Sequence, residues 1–225
     1  MNEMKVAAII PAYNEEKNIA EVLKTLLKSP EIDEIIVVDD GSKDKTTEIS
    51  EKLGVKVIRS AGNQGKGRAM QEGLKATQAG IIVFFDADLI GLQPVHVSSL
   101  VRPVLENKAQ MAVGIRERGG WKGKFATFLI KIDSLSAVAG ERALKRFIFE
   151  SLPQSFIEGF AVETGLNYFC LKKKLKVAYV HLKGLDITIK EKKWGFWKGF
   201  SNRLKMLWQL LKIRMIILFS RKEFK

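Results

Sequence analysis

Cysteine is almost absent from this chain: Cys170 is the only one among 225 residues. A single thiol can build neither a disulfide framework nor a cysteine-based zinc site, so the fold must rest on a packed core. Its place in an apolar run marks it as a buried free thiol, which fits a reducing compartment. Long hydrophobic runs are missing too; none reaches the roughly 18–20 apolar residues of a membrane span. No charged stretch followed by a long apolar core opens the chain, so a secretory signal is not expected and a cytoplasmic protein is. Acid is in short supply, with 25 Asp and Glu against 38 Lys and Arg, a formal net charge of +13. That excess points to an anionic partner: nucleic acid, a phosphorylated ligand or an acidic membrane surface.

What is present alternates between two patterns. Residues 6–10 form a short apolar run closed by Pro11, and residues 15–28 carry Ile19, Val22, Leu23, Leu26 and Leu27 at helical spacing. A second buried-strand run at 34–38 is stopped by Asp39-Asp40-Gly41-Ser42, and Ser42 or Asp44 can cap a helix reaching about Leu53. Strands at 55–58 and 81–85 flank a helix at 66–77. Strand and helix in alternation, with continuously apolar strands, predict an α/β fold whose parallel sheet is covered on both faces. Ligands bind such sheets at the carboxyl ends of the strands. Further on, the pattern predicts a strand at 111–115, a basic glycine-rich loop at 116–124, and helices at 125–138, 141–149 and 160–172. It also predicts a strand at 176–181 paired with 185–189. The economical organisation is one domain over 1–190 and an extension over 191–225.

The carboxyl-end rule gives certain residues their weight. Asp86 and Asp88 directly follow Val83-Phe84-Phe85, so both can lean into one cleft as the chain leaves the sheet. Hard carboxylate oxygens suit Mg²⁺ or Mn²⁺, which keep water and bind phosphate oxygens; a solvated turn is the plainer alternative. Of Asp39 and Asp40, one is expected to brace the turn and the other to meet a base or ribose. Gly62-Asn63-Gln64-Gly65-Lys66-Gly67 lacks the spacing of a phosphate-binding fingerprint, yet it places Lys66 near a helix start beside flexible glycines. His181 ends a predicted strand and has the chemistry to fill a coordination position left by two aspartates. Glu163, in an apolar neighbourhood, is a candidate base or acceptor contact, and equally a buried structural carboxylate.

Four motifs in order over about residues 5–90 resemble the family 2 glycosyltransferases with the GT-A fold. They are Ile10-Pro11-Ala12-Tyr13-Asn14-Glu15, Val37-Val38-Asp39-Asp40-Gly41-Ser42 with Asp44 and Thr46, Gly65-Lys66-Gly67, and Asp86-Ala87-Asp88. A looser likeness through 159–165 and His181 is similar to the dolichyl-phosphate mannose synthases and glucosyl-3-phosphoglycerate synthases. The resemblance implies a GT-A type, Rossmann-like, mainly parallel sheet flanked by helices. It implies a donor pocket from Pro11, Ala12, Tyr13, Asn14, Glu15, Asp40, Lys66, Asp86 and Ala87, serving a UDP- or GDP-linked sugar. It implies Mg²⁺ or Mn²⁺ on Asp86 and Asp88, with His181 completing the shell and Asp88 and Glu163 in catalytic roles. The loop after Asp88, Leu89-Ile90-Gly91-Leu92-Gln93, departs from the acidic-aromatic continuation of the polyprenyl-phosphate enzymes.

The extension combines Phe196, Trp197, Phe200, Leu204, Leu207, Trp208 and Leu211 on one helical face with Lys198, Arg203, Lys205 and Lys212. A basic amphipathic helix with tryptophans suits the surface of an anionic membrane, as a peripheral protein on its inner face with a lipid-linked phosphorylated acceptor would require. Packing on the domain or a homodimer contact is the other use of the same face. A nucleic-acid-binding module is suggested by charge alone and has no need of Asp86 and Asp88, so no nucleic-acid partner is expected. The membrane expectation has a direct check: the full chain should co-sediment with anionic liposomes, and deleting 194–225 should abolish this. Unchanged binding without the tail would overturn it.

Overall fold

The computed structural model describes residues 4–116, 140–157 and 161–187. The first half follows the alternation of the sequence. Strand β1 (Val6–Ala12) leads to α1 (Ile19–Leu27), β2 (Glu34–Asp39), α2 (Thr46–Lys52), β3 (Lys56–Arg59), α3 (Lys66–Lys75) and β4 (Ile81–Phe84). Ile19, Val22, Leu23 and Leu26 form the buried stripe of α1, as their spacing predicts. After β4 come β5 (Leu89–Ile90), α4 (Pro94–Leu105), β6 (Met111–Arg116), β7 (Arg142–Lys145), α5 (Arg146–Glu150), α6 (Ala161–Lys172), β8 (Val177–Leu182) and β9 (Asp186–Ile187). Among the described residues these strands make a seven-stranded sheet in the order β3-β2-β1-β4-β7-β6-β8, beside a β5-β9 pair.

The sheet is mainly parallel, matching the GT-A expectation, with β7 antiparallel to both of its neighbours. Two apolar clusters cover its faces. One joins Ile9, Val38, Phe84 and Leu144 to α3, α5 and α6 through Met70, Phe149 and Leu166. The other joins Ile10, Val37 and Val83 to α1 and α4 through Leu23, Leu26 and Leu100. Residues facing both ways from one strand are buried, so the run over 6–10 reads as continuously apolar rather than alternating. Strand order turns around between β1 and β4, which opens a crevice at their carboxyl ends.

Two expectations fail here. Residues 142–145 are not helical; they form β7, and only Arg146–Glu150 of the predicted 141–149 helix is one. Arg142-Ala143-Leu144-Lys145 is four residues with charge at either end, too short for periodicity to separate strand from helix. β8 pairs in parallel with β6 rather than with the segment after it, and β9 pairs with β5 instead. The predicted helix at 125–138, most of the 116–124 loop, the 190/191 boundary and the whole 191–225 extension lie outside the described residues.

Helix α3 approaches its neighbours closely enough to need glycine. A methyl group on Gly67 would lie 1.7 Å from the Ile157 carbonyl oxygen, and one on Gly73 would lie 2.4 Å from Ile9. Because Ile157 O is backbone, Gly67→Ala must shift α3 or the 154–157 segment. The substitution is expected to destabilise the fold by about 2–3 kcal/mol, seen as a lowered urea midpoint at unchanged m-value.

Candidate active site

Polar residues collect along the carboxyl edge of the sheet. On its β1–β3 side the loops are stitched together by backbone donors. Asn14, held at φ +55°, donates its N–H to Ser42 Oγ at 2.9 Å and accepts from the Lys43 N–H through Oδ1 at 2.8 Å. The Glu15 N–H donates to Thr46 Oγ1 at 2.8 Å, and Asp44 Oδ1 accepts from the Thr46 N–H at the start of α2. Asp39, fully buried, accepts from the Ser42 N–H and from the Thr47 hydroxyl. Asp40 accepts from the Gln64 N–H at 2.7 Å and the Gly65 N–H at 2.8 Å, one on each carboxylate oxygen. Both aspartates therefore hold loops in place; each Asp40 oxygen keeps a second lone pair for a ligand. Gly41 lies at φ +79°, and a methyl group there would stand 2.9 Å from Gly62 Cα, so the two loops close on one another. Pro11 and Ala12 end β1 beneath Tyr13, whose ring is exposed at the rim.

The Gly65 turn delivers Lys66 as the first residue of α3. Its ammonium donates to Asp86 Oδ1 at 2.7 Å and to Glu163 Oε1 at 2.9 Å, joining the end of β4 to the first turn of α6. Burial alone would lower the lysine pKa, but the two carboxylates outweigh it and raise it, so the ammonium is kept. Glu163 thus sits in an ionic setting, not the apolar one its sequence neighbours suggest. Beside it, the fully buried Arg142 donates to the Glu163 carbonyl at 3.3 Å and to Asn167 Oδ1 at 3.0 Å, which fixes that turn from below.

Antiparallel β7 brings its first residues against the aspartates. A methyl group on Gly140 would lie 2.3 Å from Asp86 Oδ2. Next to it Glu141 is fully buried, 3.4 Å from Arg116 Nη1 at the end of β6. Burial and the charge of Asp86 push the Glu141 carboxyl up to about 7, with Arg116 pulling the other way. Among the described residues six buried side-chain atoms lack a hydrogen-bond partner, and five belong to Arg116, Glu141, Glu163 and Thr164. Unpartnered buried polar atoms are costly and concentrate where a ligand completes them.

Asp88 is buried at the same edge, with Ala87 between the two aspartates buried in the apolar cluster. His181 lies at the carboxyl end of β8, three strands from β4, with an exposed side chain. No three His, Cys, Asp or Glu residues among the described ones gather into a closed metal cage, so Asp86, Asp88 and His181 are not a preassembled trio. Oxygen donors in an open arrangement fit a hard divalent cation that keeps water and phosphate oxygens as ligands. The second histidine is structural: His96 accepts from the Gln93 N–H and meets the Lys183 carbonyl at 3.0 Å, tying α4 to the β8–β9 loop. Sequence reading missed Arg116, Glu141 and Arg142. The signal for Glu141 and Arg142 was two adjacent charges directly after Gly140.

Comparison with known proteins gives the family and the fold. Residues 7–170 fit the family model of glycosyl transferase family 2, and the chain belongs to that family. A glucosyl-3-phosphoglycerate synthase of Petrotoga mobilis is 30% identical over 197 residues, covering 72% of this chain and 59% of that protein. A dolichol-phosphate mannosyltransferase of Pyrococcus furiosus is 35% identical over 141 residues, covering 60% and 40%. The crystal structure of glucosyl-3-phosphoglycerate synthase from Mycobacterium tuberculosis, in complex with Mn²⁺, uridine diphosphate and glucosyl-3-phosphoglycerate, superposes with a TM-score of 0.69 at 29% identity. That match covers 83% of this chain and 72% of the other. The chain spans between two fifths and three fifths of the length of these two curated relatives.

The Gly140 contact can be checked by itself. Gly140→Ala is expected to displace the Asp86 carboxylate and lower stability by about 1–2 kcal/mol, read by thermal melting and a crystal structure of the variant. An unmoved Asp86 with an unchanged melt would show that β7 does not confine it.

Proposed function

We propose that this chain is a nucleotide-sugar-dependent glycosyltransferase whose acceptor is phosphorylated. The observation that carries the donor half is the convergence of Asp86, Asp88 and Lys66 at the topological switch, beside loops braced by Asp39 and Asp40. In this reading Tyr13, Pro11, Ala12, Asn14, Glu15 and Asp40 form the nucleoside pocket. Asp88 and Asp86 hold Mg²⁺ or Mn²⁺, and His181 at the end of β8 is the further ligand of this reading; Mn²⁺ with uridine diphosphate is present in the similar Mycobacterium tuberculosis enzyme. The bound metal would neutralise charge on the departing nucleoside diphosphate.

The remaining work falls to the protein. Lys66 presents a fixed positive charge where the diphosphate leaves, preorganised by two carboxylates. Glu163 spends one oxygen on Lys66, while its Oε2 makes no hydrogen bond and can accept one from an attacking hydroxyl. Arg116 at the end of β6, whose Nη1 pairs with Glu141 at 3.4 Å without a hydrogen bond, supports an anionic acceptor on the side of the sheet away from the nucleoside loops. A phosphate acceptor is ionised already and needs little help from a base.

Two acceptors compete, and the relatives divide between them. A membrane polyprenyl phosphate is favoured by the basic, apolar 191–225 extension of the sequence; no helix among the described residues is long and apolar enough to cross a membrane. A small soluble acceptor such as phosphoglycerate is favoured by the longer match to the glucosyl-3-phosphoglycerate synthases.

A thermal-shift screen of nucleoside diphosphates and nucleotide sugars, with and without Mn²⁺, tests the donor half. One nucleotide at about 100 times its Kd should add roughly 2.7 kcal/mol of stability, with metal present and not without it. Asp88→Ala should lose that increment. If no nucleotide stabilises the protein in a metal-dependent way, the proposal fails. Turnover with 3-phosphoglycerate against a short-chain polyprenyl phosphate then separates the acceptors.

A further inference from the structure

Glu141 and Arg116 form an ion pair held by charge alone. Glu141 stands just before β7 and Arg116 at the end of β6, with side chains 0% and 13% exposed. Glu141 Oε1 lies 3.4 Å from Arg116 Nη1, yet that nitrogen and both oxygens of Glu141 lack a hydrogen-bond partner. Elsewhere at the same edge hydrogen bonds close the buried contacts: Lys66 donates to Asp86 and Glu163, and Arg142 to Asn167. The backbone of Glu141 is fixed, because its carbonyl accepts from the Gly114 N–H at 2.8 Å. A short charge-assisted hydrogen bond would commit the guanidinium to this carboxylate, and here that commitment is missing. An anion arriving at Arg116 therefore meets unspent donor capacity on Nη1. It also meets a buried carboxylate that repels it, in surroundings where repulsion is felt more strongly than in water.

We propose that Glu141 is an internal anion at the acceptor subsite, which competes for Arg116 and weakens the hold of that arginine on the acceptor's anionic group. The inference rests on the acceptor reading above. The guanidinium is shared between Glu141 and the acceptor while the acceptor is bound, and returns to Glu141 when the glycosylated product leaves. Glu141 acts through Arg116 and is a positioning residue. A pair that served only to join β6 to β7 would behave differently: neutralising Glu141 would cost stability and leave anion binding no tighter.

The test is a calorimetric titration of the full chain with 3-phosphoglycerate and with inorganic phosphate, with and without uridine diphosphate and Mn²⁺. Glu141→Gln should tighten both anions by about tenfold, the modest end for removing a like charge from a partly desolvated site. The same variant should melt at a lower temperature, and tighter binding by a less stable protein is not what a structural ion pair gives. Glu141→Asp keeps the charge and should bind both anions about as weakly as the unaltered chain. Adding Arg116→Met to Glu141→Gln should remove the gain, because the gain acts through the arginine. Circular dichroism checks that each variant is folded. Where Glu141→Gln does not fold, a crystal structure of the unaltered chain with 3-phosphoglycerate decides, and there the Arg116–Glu141 separation should exceed 3.4 Å. A folded Glu141→Gln that binds neither anion more tightly, or an unchanged separation in that complex, overturns the inference. If neither the unaltered chain nor Glu141→Gln binds either anion, the acceptor reading itself is at fault and this inference falls with it.

Discussion

One ammonium group, that of Lys66, joins three elements far apart in sequence: the start of α3, the end of β4 at Asp86 and the first turn of α6 at Glu163. Without that charge, two carboxylates would face each other at the mouth of a crevice, and Glu163 is almost fully buried. Buried like charges are held together only by a cation or by taking up a proton. The lysine thus stabilises the fold at the place where the fold is least able to use apolar contacts. It reaches that place because Gly65, at φ +94°, turns the chain into the helix, and because Asp40 holds the Gln64 and Gly65 N–H groups just before it. A loop-bracing aspartate and a site lysine are consecutive steps of one construction.

The two sides of the crevice are built differently. On the β1–β3 side nearly every polar group named is paired within the protein, through short bonds from Asn14, Glu15, Ser42, Asp44 and Thr46. Such a surface is preorganised, and a ligand meets it without reordering the loops. On the β7–β6 side Glu141, Arg116, Glu163 and Thr164 carry the unpartnered atoms. Those atoms' hydrogen-bonding capacity is unspent. In the proposed reading the nucleotide meets the first surface and the acceptor the second.

The first side was legible in the sequence because its strand ends are marked locally. Apolar runs ending in Pro11, Asp39 and Asp86 mark strand ends, and the rule that ligands bind at those ends needs no distance information. Asp40, expected to meet the base, braces the 62–65 loop, and backbone donors 24 and 25 residues away leave no mark on composition. The second side was not legible. β7 is four residues long and reversed, so neither its type nor its neighbours follow from periodicity, and with it went Gly140, Glu141 and Arg142. The pairing of β8 with β6 across more than sixty residues was lost for the same reason.

Reversal of β7 is also what makes the site asymmetric. In an all-parallel sheet the strand beside β4 would bring its carboxyl end, and the loop after it, to the crevice. Here an amino-terminal end arrives instead, so Gly140 packs on Asp86 and the charged pair that follows is drawn into the sheet, Glu141 toward Arg116 and Arg142 beneath Glu163. Successive residues of a strand point to opposite faces. One dipeptide therefore meets both elements: the arginine at the end of β6 from one face and the first turn of α6 from the other. Swapping either charge for a neutral group leaves its partner buried without compensation, which costs more than the pair contributes. The β7–β6 side is thereby tied to the core of the sheet through its buried charges.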